Sequence, residues 1–87
     1  MAGTLYLVLA MRRAGFDEAA VPAHREFLDA LREAGQLQLT GGFGDGSGGA
    51  YVLCNIASLD EALAIAARDP LATMRASDLT VHEWITR

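Results

Sequence analysis

The chain has 87 residues, 52% of them hydrophobic and 21% charged, with a net charge of −4 and a pI near 4.9. That composition excludes a disordered segment. A chain this short hides only roughly 60% of its unfolded surface, and this much apolar material implies an external partner surface. All seven basic residues are Arg and none is Lys, so no basic stripe exists for nucleic acid, and lysine Schiff-base and P-loop chemistry are excluded.

Thr4–Met11 is a continuous apolar run of strand length. Leu5, Leu7, Leu9 and Met11 occupy one face, and Tyr6, Val8 and Ala10 the other, as in a strand buried on both sides. The run is too short to span a membrane, and Arg12-Arg13 follow it where a signal peptide would carry a small-residue cleavage site. A loop is expected to Asp17, then an irregular turn over 18–21. A helix is predicted from Pro22, whose missing N–H costs nothing in a first turn, to Ala34, with Gly35 as its stop. Gln36–Phe43 reads as a second strand with Leu37 and Leu39 on one face. Gly41–Gly49 reads as a hairpin turn, and Ala50–Ile56 as a third strand. Ser58 and Glu61 form a capping box that opens a second helix to about Arg68. Asp69-Pro70 ends it, a short helical turn follows within 71–77, and Leu79–Thr86 is the fourth strand.

The order is β-α-β-β-α-β, the ferredoxin-like arrangement of the α+β class: one four-stranded antiparallel sheet with two helices on one face, in one domain over residues 1–87. Two helices cover only one face. The other face is expected to be buried against a second copy, sheet to sheet, in a homodimer, with Tyr6, Val8 and Trp84 as interface candidates. Cys54 stands alone, which excludes an internal disulfide and a cysteine-based zinc site, and fits a reduced, cytoplasmic setting.

His24 shares the spacing of Phe27, Leu28 and Leu31, the stripe that faces the sheet. An imidazole there is either a core histidine satisfied by a backbone carbonyl or a half-desolvated general acid/base. Asp69 is placed at the C-terminal end of the second helix, against the helix dipole, either as a solvated acid or with a specific partner, for which His24 is the candidate. Gly44, Gly46 and Gly49 satisfy G-x-G-x-x-G, but a strand rather than a helix comes next, so the loop reads as a hairpin turn and no nucleotide is expected. His82 shares its strand face with Thr80 and Trp84. Two imidazoles on different elements do not make a metal site, and no cofactor is expected.

The run from Pro22 to Leu31 with Gly35, the turn Gly41-Gly42-Phe43, the element Ala67-Arg68-Asp69-Pro70-Leu71 and the closing Val81-His82-Glu83-Trp84 together resemble the YCII-related domain family, with Gly42 where that family usually has Pro. The resemblance covers nearly the whole chain. It implies a dimeric α/β barrel and a cleft with a His–Asp pair, which falls on His24 and Asp69. One characterised member is a dehydrochlorinase acting on a chlorinated hydroquinone, so the resemblance implies lyase chemistry first. Two functions stay open: a cofactor-independent lyase or isomerase acting on a small polar or aromatic molecule, and a non-catalytic ligand-binding or interaction domain on the same scaffold.

Overall fold

In the computed structural model, which describes residues 3–87, the elements are β1 (Thr4–Arg12), α1 (Ala20–Glu33), β2 (Leu37–Gly42), β3 (Gly48–Leu53), α2 (Leu59–Ala67), α3 (Pro70–Thr73) and β4 (Ser77–Ile85). The strands form one antiparallel sheet in the order β2-β3-β1-β4, the ferredoxin-like topology. No helix of the described residues is long and apolar enough to cross a membrane.

Local chemistry explains each boundary. The Asp17 carboxylate accepts from the Ala19 N–H at 2.9 Å and its carbonyl from the Ala20 N–H, so α1 starts two residues before Pro22. At its other end Gly35 takes φ +73°, letting the Gln36 N–H reach the Leu31 carbonyl and the Gly35 N–H the Arg32 carbonyl. This is the Schellman stop that a glycine allows. Ser58 Oγ accepts from the Glu61 N–H at 3.1 Å, and the Glu61 carboxylate accepts from Ala57 N–H, one residue further back than a simple capping box.

The β2–β3 hairpin is tighter than the glycine run suggests. Both strands run into it, leaving only residues 43–47 as the turn. A Cβ on Gly49 would lie 2.5 Å from the Gly41 carbonyl oxygen, and one on Gly48, at φ +155°, would meet the Ala10 carbonyl oxygen closer still. These glycines let backbones approach inside the sheet; they do not mark a long loop. The third strand correspondingly begins earlier and ends at Leu53, three residues short of the predicted Ile56.

The sheet's two faces are assigned differently from the expectation for β1. Tyr6, Val8, Tyr51 and Leu53 point toward the helices and pack with Leu28 and Leu31 of α1 and Ala62, Ile65 and Ala66 of α2. Tyr6 and Val8 are therefore core residues, not candidates for the uncovered face. Alternation then places Leu5, Leu7 and Leu9 on the uncovered face, alongside Val52 and the half-exposed Trp84, which is opposite Leu5 in the β1–β4 ladder. A bulge between Leu37 and Leu39 splits the predicted pair: Leu37 packs on the core and Leu39 stands exposed on the other face. One extra residue in a strand reverses the facing of the residues beyond it.

Candidate functional site

His24 lies in the second turn of α1, turned inward by the stripe of Phe27, Leu28 and Leu31. Leu28 and Leu31 are buried, and Phe27 packs on the same core. Asp69 lies at the corner between α2 and α3. It is fully buried, at 0% exposure. The two side chains meet across 45 residues of sequence, with His24 Nδ1 2.8 Å from Asp69 Oδ1.

Asp69 directly follows the C-cap of α2, as expected, but it has a second role that the sequence reading did not give it. It is the N-cap of α3, and its Oδ1 also accepts from the Leu71 N–H at 2.9 Å. Its extended backbone, imposed by the adjoining Pro70, ends one helix and starts the next. The Tyr51 hydroxyl, from β3, donates to Oδ2 at 3.0 Å. Three donors thus converge on one carboxylate, the arrangement that compensates a charge removed from water. Burial first, then the Asp69 charge and the hydrogen bond to it, push the Tyr51 phenol well above the ordinary tyrosine range, so it stays a donor.

An ionised carboxylate only accepts, so the Nδ1 facing it carries the hydrogen, and Nε2 is the ring nitrogen left for a ligand. The imidazole is partly exposed, packs near the rings of Tyr51 (5.9 Å between centroids) and Phe27 (6.4 Å), and forms part of the wall of a cavity of about 240 Å³. The floor of this cavity is the end of the sheet where Gly42, Gly48 and Gly49 raise no side chain, and Arg12, Phe16 and Arg25 stand around it. The cavity therefore brings a reachable, oriented imidazole to a space of the size of a single-ring or short-chain molecule.

Sequence reasoning named His24 and Asp69 but missed Tyr51, Arg12 and Phe16. Strand alternation carries a signal for Tyr51, since it shares a face with Leu53, but which face the helices cover is not written in β3 alone. The other candidates lie elsewhere. His82 is exposed on the uncovered sheet face opposite Leu7, with the sheet between it and His24, and its Nε2 is 3.3 Å from Thr80 Oγ1. Among the described residues no group of three or more His, Cys, Asp or Glu is placed to hold a metal ion. Cys54 sits just past β3, with Sγ 3.4 Å from the Gly35 carbonyl. Asp45 accepts from the Ser47 N–H at 2.9 Å, and hydrogen bonds from Ser47 hold its carboxyl below the usual range, so both residues serve the turn.

Comparison with known proteins places this architecture. The chain is 44% identical over 79 residues to the uncharacterized protein YjpA of Bacillus subtilis (strain 168), covering 91% of this chain and 92% of that one. Among solved structures the fold resembles 5-chloro-2-hydroxyhydroquinone dehydrochlorinase (TftG) from Burkholderia phenoliruptrix AC1100, determined in complex with 2,5-dihydroxybenzoquinone, with a TM-score of 0.73 and 22% identity over 92% of each chain. That likeness is one of fold. The YCII-related domain model matches residues 4–85, every residue of the sheet and helices above, and the chain belongs to the YCII-related domain family.

Proposed function

We propose that this protein is a small cofactor-independent enzyme performing acid–base chemistry, of lyase or isomerase type, on a small polar or aromatic molecule. The observation that carries the reading is the hydrogen bond between His24 Nδ1 and the fully buried Asp69 carboxylate, with the same imidazole on the cavity wall. His24 Nε2 takes a proton from substrate bound in the cavity. Asp69 holds the ring's tautomer and orientation and stabilises the imidazolium that forms, while Tyr51 and the Leu71 N–H fix the carboxylate. In an elimination, the electron pair released by deprotonation forms the new double bond, and the leaving group departs with its own pair. In an isomerisation the imidazolium returns the proton to a different atom. The dehydrochlorinase named for its structural neighbour belongs to the first type.

The uncovered face of the sheet belongs to the same proposal. Leu5, Leu7, Leu9, Leu39, Val52 and Trp84 make it apolar, and a second copy packed sheet to sheet removes it from water.

The test is proton exchange. Wild-type protein is incubated in D₂O with a panel of small enolisable and hydroxylated aromatic compounds, including 5-chloro-2-hydroxyhydroquinone, and followed by mass spectrometry and chloride release. Deuterium incorporation or elimination that disappears in His24→Ala supports the reading. Binding of panel members without any such chemistry makes the protein a ligand-binding module instead.

A further inference from the structure

The charged side chains on the cavity wall are opposite in sign to the chain as a whole. The protein carries −4 overall, yet the residues that line the cavity include Arg12, Arg25 and His24 and no Asp or Glu. The buried Asp69 carboxylate behind His24 keeps its charge, but it does not line the cavity and its oxygens are taken by His24, the Leu71 N–H and Tyr51, whereas both guanidinium groups stand on the cavity wall. In an acidic protein, a cavity that gathers two guanidinium groups and excludes carboxylates raises the local concentration of anions against the overall field.

Arg12 is the better held of the two. It is the last residue of β1, two positions past Ala10 on the helix-side face, and is paired with Ser77 of β4. Its guanidinium carbon lies 4.1 Å from the centre of the Phe16 ring, and Phe16 itself packs on the cluster of Ala10, Ala20, Leu71 and Ala76. A guanidinium resting against an aromatic face keeps edge N–H groups for a planar oxyanion. Among the described residues its one ion pair is long, 3.9 Å to a Glu18 carboxylate that is mostly in solvent, and leaves donors over. Arg25 adjoins His24 on α1, is exposed, and adds positive charge at the mouth.

We infer that the substrate of this site is a small planar oxyanion, a carboxylate or an equivalent acidic oxygen, anchored by Arg12 with help from Arg25, its reacting atom presented to His24. This rests on the acid–base reading of His24 and names the substrate class for that same site. Arg12 is the specificity-determining residue. Binding the anion there orients the molecule and leaves Nε2 to move the proton, a division of labour that neither group performs alone.

The experiment compares benzoate with benzamide, which share a ring and a planar head group and differ in charge. Binding is followed at low ionic strength by titration calorimetry and by NMR of the His24 ring. Benzoate is expected to bind about tenfold more tightly than benzamide and to perturb the His24 resonances. Arg12→Met should abolish this preference, weakening benzoate far more than benzamide, and Arg25→Met should reduce it less. Arg12 is at the surface, so its variant is expected to fold, and circular dichroism melting verifies that. Equal affinities, no saturation by either compound, or a preference unchanged in Arg12→Met overturns the assignment. The acid–base reading fails separately. Benzoate selectivity in a wild type that exchanges no protons leaves the anion site and removes the catalytic role, whereas proton exchange without selectivity does the reverse.

Discussion

The Tyr51 hydroxyl donates to Asp69 Oδ2 across 3.0 Å, joining a strand to the α2–α3 corner in a region closed to solvent. That bond fixes the rotation of the carboxylate so that Oδ1 meets both His24 and the Leu71 N–H. Tyr51→Phe keeps the ring and its contacts with His24 and Phe27 and removes only the hydroxyl. It leaves a buried oxygen without its partner, so a stability loss of about 1–3 kcal/mol is expected in urea unfolding. Turnover should drop roughly tenfold or more as the dyad loosens. Unchanged stability in the variant would mean that water replaces the phenol.

Asp69→Asn preserves shape and the α3 cap but removes the charge: its amide oxygen in the place of Oδ1 still accepts from the Leu71 N–H and His24 Nδ1, and its NH₂ faces the Tyr51 hydroxyl. The imidazole is expected to keep its hydrogen on Nδ1 but to lose the negative charge that stabilises the imidazolium formed when Nε2 takes a proton. Turnover should fall on the order of 10³-fold with the fold intact. Nitrogen NMR of the labelled ring reads the tautomer directly, and turnover undiminished in a variant that keeps its hydrogen on Nδ1 would refute the account. Asp69→Ala, in contrast, strands three donors and should cost about 3 kcal/mol of stability.

Alkaline pH should destabilise the fold through its tyrosines. Burial and Asp69 raise the Tyr51 phenol, and burial together with Glu83 raises Tyr6. Each group holds its proton more tightly folded than unfolded. The stabilisation is therefore fully present below the ordinary tyrosine value of about 10 and is lost as pH rises above it, at up to about 1.4 kcal/mol per pH unit for the buried Tyr51 phenol. Unfolding midpoints measured across that range should decline more shallowly in Tyr51→Phe than in wild type. A native-state absorbance titration in which both tyrosines ionise normally would contradict this.

The proposed sheet-to-sheet dimer predicts a solution mass of twice the 9.2 kDa chain. Leu7 lies mid-strand on the uncovered face, between Val52 and His82 in the ladders. Leu7→Asp should yield monomer by light scattering while far-UV circular dichroism stays native-like. A wild type that scatters as a monomer at micromolar concentration would disprove the pairing.

The order of elements is legible in the sequence because punctuation is local. Gly35, Ser58 with Glu61, and Pro70 each act within a few residues of where they stand, and they delimit helices whatever those helices later touch. The inward aim of His24 is legible for a similar reason, since the spacing of Phe27, Leu28 and Leu31 defines one helix face. Facing in the sheet is not. β1 is apolar on both sides, so its alternation does not distinguish the helix side from the open side, and the expectation for Tyr6 and Val8 falls on the wrong one. Only the helices, by covering one face, break that symmetry. A single bulged residue likewise parts Leu37 from Leu39, which no period-two pattern records. The carboxylate's environment also lies beyond the pattern. That Asp69 caps α3, and that Tyr51 and His24 reach it, depends on how β3, α1 and the α2–α3 corner come together, and contacts across 18 and 45 residues exist only once the chain is packed.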